Sequence, residues 1–144
     1  MTEVEFHTGV ADPLGFACRL LRKAYRRGAR VLVTAPPERL AQLDRLLWTF
    51  DEREFVPHLR VPAADAAMAA RTPIWLAVPP APAGAPGVVV NLGAPAPAPA
   101  ALDGIERLIE VVGTEPGEVQ DGRERWRAYK AAGLAVVHHA AGAG

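Results

Sequence analysis

Serine is missing from this sequence altogether, and Cys18 is its single thiol. Without serine there is no serine nucleophile for hydrolysis. One cysteine can form neither a disulfide framework nor a multi-cysteine zinc site. We therefore expect a chain that works in the reducing cytoplasm.

Long apolar runs and net charge are also lacking. No stretch approaches the roughly 20 apolar residues of a membrane span, and residues 1–5 are acidic, unlike an export signal. We expect a protein that is neither exported nor embedded in a membrane.

The 16 basic residues balance the 16 acidic ones, so no bulk positive field holds nucleic acid. Contact with DNA must then be local or mostly indirect.

The residues that are present suit one packed domain. The chain has 144 residues, of which 50% are apolar and 22% charged, as in globular domains of this size. Alternation, continuous apolar runs and helical spacing predict the elements. The predicted strands are 4–7, 30–33, 74–78, 88–92, 109–112 and 134–137, and the predicted helices are 13–27, 37–50, 102–108 and 119–132. This is the pattern of a single Rossmann-like three-layer α/β domain, with a mostly parallel central sheet and helices on both faces. We place the domain at 1–137 and expect the tail 138–144 to fray.

Motifs for catalysis are absent from the sequence. The turn at 8–12 lacks the glycine pattern of a dinucleotide site, and no phosphate-binding loop occurs. The four histidines, at 7, 58, 138 and 139, have no ligand partner at a metal-binding interval. We therefore predict no catalytic residue, no metal and no cofactor. A small Rossmann-like enzyme with an unrecognised cofactor stays open, as does a weak nucleic-acid-binding module that uses the six basic residues within 19–30.

Two stretches could bind proteins. Arg123, Trp126, Arg127 and Lys130 fall on one helical face, a cationic stripe with an aromatic ring that suits an acidic peptide. A solvated helix whose Trp126 lies in the core is the alternative. The segment 48–57 holds Trp48, Phe55 and Pro57 around a helix end, where they could anchor a partner or pack into the core.

These stretches carry a resemblance that covers nearly the whole chain, from the first strand to Gly133-Leu134. The chain resembles the chi subunits of bacterial DNA polymerase III, accessory proteins of the clamp-loader complex. The segments that carry the resemblance are Gly28-Ala29-Arg30-Val31-Leu32-Val33, Leu43-Asp44 with Leu47-Trp48, Phe55-Val56-Pro57-His58, and residues 123–133.

The resemblance implies a non-catalytic adaptor of the replisome. Chi subunits bridge the psi subunit, and through it the clamp loader, to the acidic C-terminal tail of single-stranded DNA-binding protein. The implied psi-binding residues are Trp48, Phe55 and Pro57. The implied tail-binding residues are Arg123, Trp126, Arg127 and Lys130, with Val112 as a pocket wall. We expect the planar fork of Arg127 to meet the terminal carboxylate. A repair helicase stays open as a further partner.

Overall fold

The computed structural model of the protein describes residues 2–63 and 65–141. Its strands and helices follow one another in the order β1 (Glu3–Val10), α1 (Pro13–Arg26), β2 (Val31–Thr34), α2 (Pro37–Thr49), β3 (His58–Arg60), α3 (Ala66–Arg71), β4 (Ile74–Ala77), β5 (Val88–Asn91), α4 (Pro99–Leu102), β6 (Arg107–Gly113), α5 (Pro116–Ala131) and β7 (Val136–Ala140). None of the helices in these ranges combines the length and the hydropathy that a bilayer crossing requires.

The seven strands form one sheet in the order β3-β4-β2-β5-β6-β1-β7. Every neighbouring pair is parallel. The central strands β2 and β4 are buried along their whole length, because helices cover both faces of a parallel sheet. The mostly parallel sheet that the sequence predicts is thereby confirmed, and β3 and β7 are its edges.

The helices form an outer layer on each face of the sheet. Helices α1 and α2 pack one face through Ala17, Leu21 and Leu43. Helices α3, α4 and α5 pack the opposite face through Ala69, Leu102 and Tyr129. Alternate residues of each strand therefore enter two separate cores. The Rossmann-like three-layer architecture is confirmed.

Helix α1 shows how the sequence sets its bounds. The side chain of Asp12 accepts a hydrogen bond from the Gly15 amide at 3.1 Å, and Pro13 occupies the first turn. The helix ends before Gly28, whose φ of +75° only glycine adopts without strain. The chain then turns directly into β2.

One predicted element is wrong, and two observed elements are not predicted from the sequence. The helix predicted at 102–108 is the short α4, which ends at Leu102, and Arg107 already begins β6. The hydroxyl of Thr2 donates to the carbonyls of Leu102 and Ile105, which holds the chain in a turn there. Strand β3 and helix α3 were not predicted. Each is short, with three and six residues, so neither leaves a periodic pattern.

The C-terminal segment also needs correction. The last strand is not 134–137 but Val136–Ala140, so His138, His139 and Ala140 belong to the sheet. They pair with Phe6, His7 and Thr8, because β1 is eight residues long and offers its edge to the whole of β7. The remainder of the predicted tail, 142–144, lies outside the described residues.

Candidate functional site

A pocket of about 350 Å³ opens at the carboxyl ends of β1 and β6, beside α5. Its lining residues are Phe6, Thr8, Gly9, Val112, Val119, Gly122, Arg123, Trp126 and His138. Three of these residues, Val112, Arg123 and Trp126, are expected at the site from the sequence, and the structure brings them together. The sequence does not predict the others, which come from β1, from β7 and from Val119 and Gly122 in α5. The volume suits one large apolar side chain with its neighbours, within the range of small-ligand pockets.

Close packing of α5 on β6 forms the floor of the pocket. Gly122 sits in the helix directly over Val112, and a Cβ atom at residue 122 would lie 3.0 Å from Val112 Cγ2. A larger residue at this position would require Val112 or the helix to shift by a few tenths of an ångström. A glycine inside a predicted helix was the one sequence signal for this contact.

Trp126 forms one wall of the pocket and is half-buried. Its ring meets Phe6 edge-on, with 5.2 Å between ring centroids, and meets His138 at 5.8 Å. Lys130 Nζ lies 5.6 Å from the ring centroid, close enough for a cation–π contact. The ring is thus anchored in the core on one side and faces the pocket on the other.

Positive charges border this wall unequally. Arg123 lines the pocket itself. Arg127 is exposed one turn further along α5 and is not among the lining residues. The structure therefore places Arg123 at the pocket and Arg127 outside its lining. Arg127 and Lys130 extend the positive surface along the helix.

A buried polar network fixes the orientation of α5. The Glu110 side chain is completely buried in β6 and accepts hydrogen bonds from Arg125 Nε at 3.0 Å, from Asn91 Nδ2 at 3.0 Å and from the Tyr129 hydroxyl. Burial raises the pKa of Tyr129, and the neighbouring Glu110 raises it further, so its hydroxyl remains a donor. Arg125 is therefore structural, unlike Arg123 and Arg127 of the cationic stripe.

A second surface lies where α2 ends. Trp48 is 62% exposed and Phe55 is 47% exposed, although large apolar side chains are usually enclosed. Their rings stack on each other, with centroids 4.8 Å apart and an angle of 26°. Of the two alternatives that the sequence leaves open for these rings, packing into the core is therefore wrong. Together with the partly buried Pro57 they form an apolar patch, here called the aromatic patch.

His58 supports the aromatic patch from below. Its buried ring meets Trp48 edge-on at 5.3 Å, and its Nδ1 donates to the Val56 carbonyl at 2.8 Å. The other nitrogen, Nε2, lies 3.0 Å from Asp44 Oδ1 but is not aligned for a hydrogen bond. These contacts hold the exposed rings in one orientation.

Comparison with known proteins gives this arrangement a family. Residues 1–137 match the family described as DNA polymerase III chi subunit, HolC. The chain belongs to the DNA polymerase III chi subunit family. The DNA polymerase III subunit chi of Pseudomonas aeruginosa is 32% identical over 144 residues, an alignment that covers 96% of each chain. The resemblance drawn from the sequence is confirmed.

In this chi-family chain the two surfaces lie at opposite edges of the sheet. The aromatic patch adjoins β3, and the pocket lies between α5 and the strands β6, β1 and β7. Six inter-strand steps of about 4.8 Å separate β3 from β7, about 29 Å in total. Two protein partners could therefore be bound together without touching the same residues.

The basic helix α1 is less available to nucleic acid than its sequence suggests. Arg22 pairs with Asp51 at 2.9 Å, and Arg26 pairs with Glu54. The guanidinium of Arg30 lies 5.6 Å from the centre of the Trp75 ring. Half of the six basic residues within 19–30 thus have partners inside the chain. This weakens the alternative of a nucleic-acid-binding module.

The chi-family fold also gives little support to the alternative of an enzyme. A groove of about 820 Å³ runs along the carboxyl ends of β2, β4 and β5, where α/β enzymes bind ligands. Its described lining residues are apolar or glycine except for Thr34. Burial raises the pKa of Cys18 to about 11, so the thiol stays protonated at neutral pH.

Proposed function

We propose that the protein is a replication adaptor of the DNA polymerase III holoenzyme without a catalytic site of its own. It links the clamp loader, through the psi subunit, to the acidic C-terminal tail of single-stranded DNA-binding protein. The observation that carries the proposal is the pocket beside α5, apolar inside and cationic at its border. It acts at the cytoplasmic replisome and meets DNA mostly indirectly.

The chemistry of the pocket supports an acidic peptide that ends in an apolar residue. Phe6, Val112 and Trp126 offer an apolar cavity for one large side chain. Arg123 lies at the same cavity and can bond both oxygens of a terminal carboxylate. Arg127 and Lys130 then attract upstream acidic residues over longer range. The zero net charge of the chain fits this local recognition better than direct binding to DNA.

The aromatic patch supports the psi subunit as the second partner. Stacked, exposed aromatic rings are typical of the centre of protein interfaces, where a few residues carry most of the affinity. Trp48 and Phe55 are already held by His58, so little order has to be gained on binding. Pro57 stiffens the segment next to them.

A binding experiment with two forms of single-stranded DNA-binding protein tests the tail interaction. The purified chain is immobilised and offered either the intact protein or a form that lacks its last few residues. We expect the intact form to bind and the truncated form to bind at least tenfold more weakly. Equal binding of both forms would contradict the proposed site.

A further inference from the structure

Three side chains that can bind metal ions meet at the edge of the sheet, on the face opposite to the pocket beside α5. Glu5 and His7 are two residues apart on β1 and point to the same face. His139 is the cross-strand neighbour of His7 on β7. Their ligand atoms all lie within 4.8 Å of one another.

The distances among the three ligand atoms are close to those of a metal site. Glu5 Oε1 lies 3.0 Å from His139 Nε2 and 3.7 Å from His7 Nε2. Bonds of about 2.0–2.1 Å around a tetrahedral zinc ion place neighbouring ligand atoms roughly 3.3 Å apart. The two imidazole rings are stacked, with centroids 4.9 Å apart. The two strands therefore bring all three ligand atoms within reach of one ion.

We propose that Glu5, His7 and His139 bind one divalent cation with the coordination preferences of zinc. Two imidazoles and one carboxylate are a known zinc donor set, and they leave the fourth position to water. His139 is half-exposed, which gives the ion access from solvent. This inference is independent of the adaptor function and reverses the sequence-based expectation that the chain binds no metal.

The Glu5 carboxylate has a charged neighbour, Arg107. Arg107 Nη2 donates to Glu5 Oε2 at 2.9 Å, which orients the carboxylate so that Oε1 faces the imidazoles. Burial alone would raise the pKa of Glu5, but the hydrogen bond and charge of Arg107 lower it on balance. The positive charge of Arg107 opposes the cation and limits its affinity.

Calorimetry and Co²⁺ absorption spectroscopy on the tag-free, chelator-treated protein test this proposal. We expect one Zn²⁺ or Co²⁺ per chain, with the visible spectrum of four-coordinate Co²⁺. His7→Ala and His139→Ala should each weaken binding by at least about tenfold, since changes beyond the direct ligands already cost that much. Glu5→Gln provides a third variant of nearly unchanged shape.

The adjacent histidine provides a matched control. His138 lies on the same edge strand as His139 but points to the opposite face, where it contacts Trp126. His138→Ala should therefore bind the metal like the unchanged protein. Absence of metal uptake by the unchanged protein would overturn the proposal. So would equal losses in the His138→Ala and His139→Ala variants.

Discussion

Single side chains in this protein owe their roles to their surroundings rather than to their type. Arg123, Arg125 and Arg127 lie within five residues on α5, yet one lines the pocket, one is buried against Glu110 and one is exposed. Helical spacing predicted the shared face of Arg123, Trp126 and Arg127. It could not predict which guanidinium reaches the pocket, because that depends on β1 and β7 as well.

The first prediction concerns Arg123 in the proposed tail site. Arg123→Ala should weaken binding of a labelled tail peptide by about 1.5–3 kcal/mol, the usual worth of a charge-assisted hydrogen bond, or roughly tenfold to over a hundredfold. Arg127→Ala should cost less than about 1 kcal/mol and lose its effect as salt is added. Fluorescence anisotropy measures both.

The control for the arginine variants is Arg27→Ala. Arg27 is exposed at the end of α1, on the other face of the sheet. The Arg27→Ala variant should bind the peptide normally, and all three variants should melt like the unchanged protein. If Arg127→Ala loses more affinity than Arg123→Ala, the carboxylate lies further along α5 than we propose.

The second prediction concerns the aromatic patch. Trp48→Ala should weaken binding to the psi subunit by about 2 kcal/mol or more, roughly thirtyfold, because an exposed aromatic anchor loses its contact area. The folded chain should keep its stability, since the ring is mostly in solvent. Surface plasmon resonance with immobilised psi measures the affinity.

Met68→Ala is the matched control for Trp48→Ala. Met68 is 49% exposed on α3, and that helix packs against the opposite face of the sheet. Its loss should leave the affinity for psi unchanged. An affinity for psi that survives Trp48→Ala would remove the aromatic patch as the docking surface.

Among the elements, α5 depends most on a single buried group. The helix is mostly polar and has only a short apolar stripe. Glu110 holds it in place by accepting hydrogen bonds from Arg125 and Tyr129. Glu110→Ala leaves the Arg125 charge buried without a partner, which we expect to lower the free energy of unfolding by about 3–5 kcal/mol. Thermal melts should show a midpoint lower by about 10 °C or more.

The variant Glu124→Ala separates this effect from a general loss of negative charge. Glu124 is exposed on the same helix. Its removal should change the free energy of unfolding by no more than about 0.5 kcal/mol, and the melting midpoint should shift by no more than that amount implies. A Glu110→Ala protein that melts normally would show that packing alone, rather than the buried network, holds α5.

The long elements were predictable from the sequence and the short ones were not. Apolar runs at 74–78 and 88–92 predicted β4 and β5, and helical spacing with Asp12 and Gly28 predicted α1. Strand β3 consists of three residues, and it forms only because β4 offers its edge. The same holds for residues 138–140 beside β1. Such short elements form through pairing between distant segments of the chain, and local sequence patterns do not reveal that pairing.

The whole molecule is an α/β sheet with a candidate binding surface at each edge. The aromatic patch and the pocket are built from different helices and from separate strands, so neither surface needs to move when the other is filled. We therefore expect no energetic coupling between them: the affinity for one partner should be the same whether or not the other is bound.

Simultaneous binding is the most direct test of the bridging role. Psi is immobilised, saturated with the chain, and then exposed to single-stranded DNA-binding protein. We predict that the second protein binds only through the chain, with the affinity it shows for the chain alone. Arg123→Ala or removal of the tail should weaken this step by the same factor as it weakens binding to the chain alone. If the two partners instead displace one another from the chain, the two surfaces do not serve as a bridge.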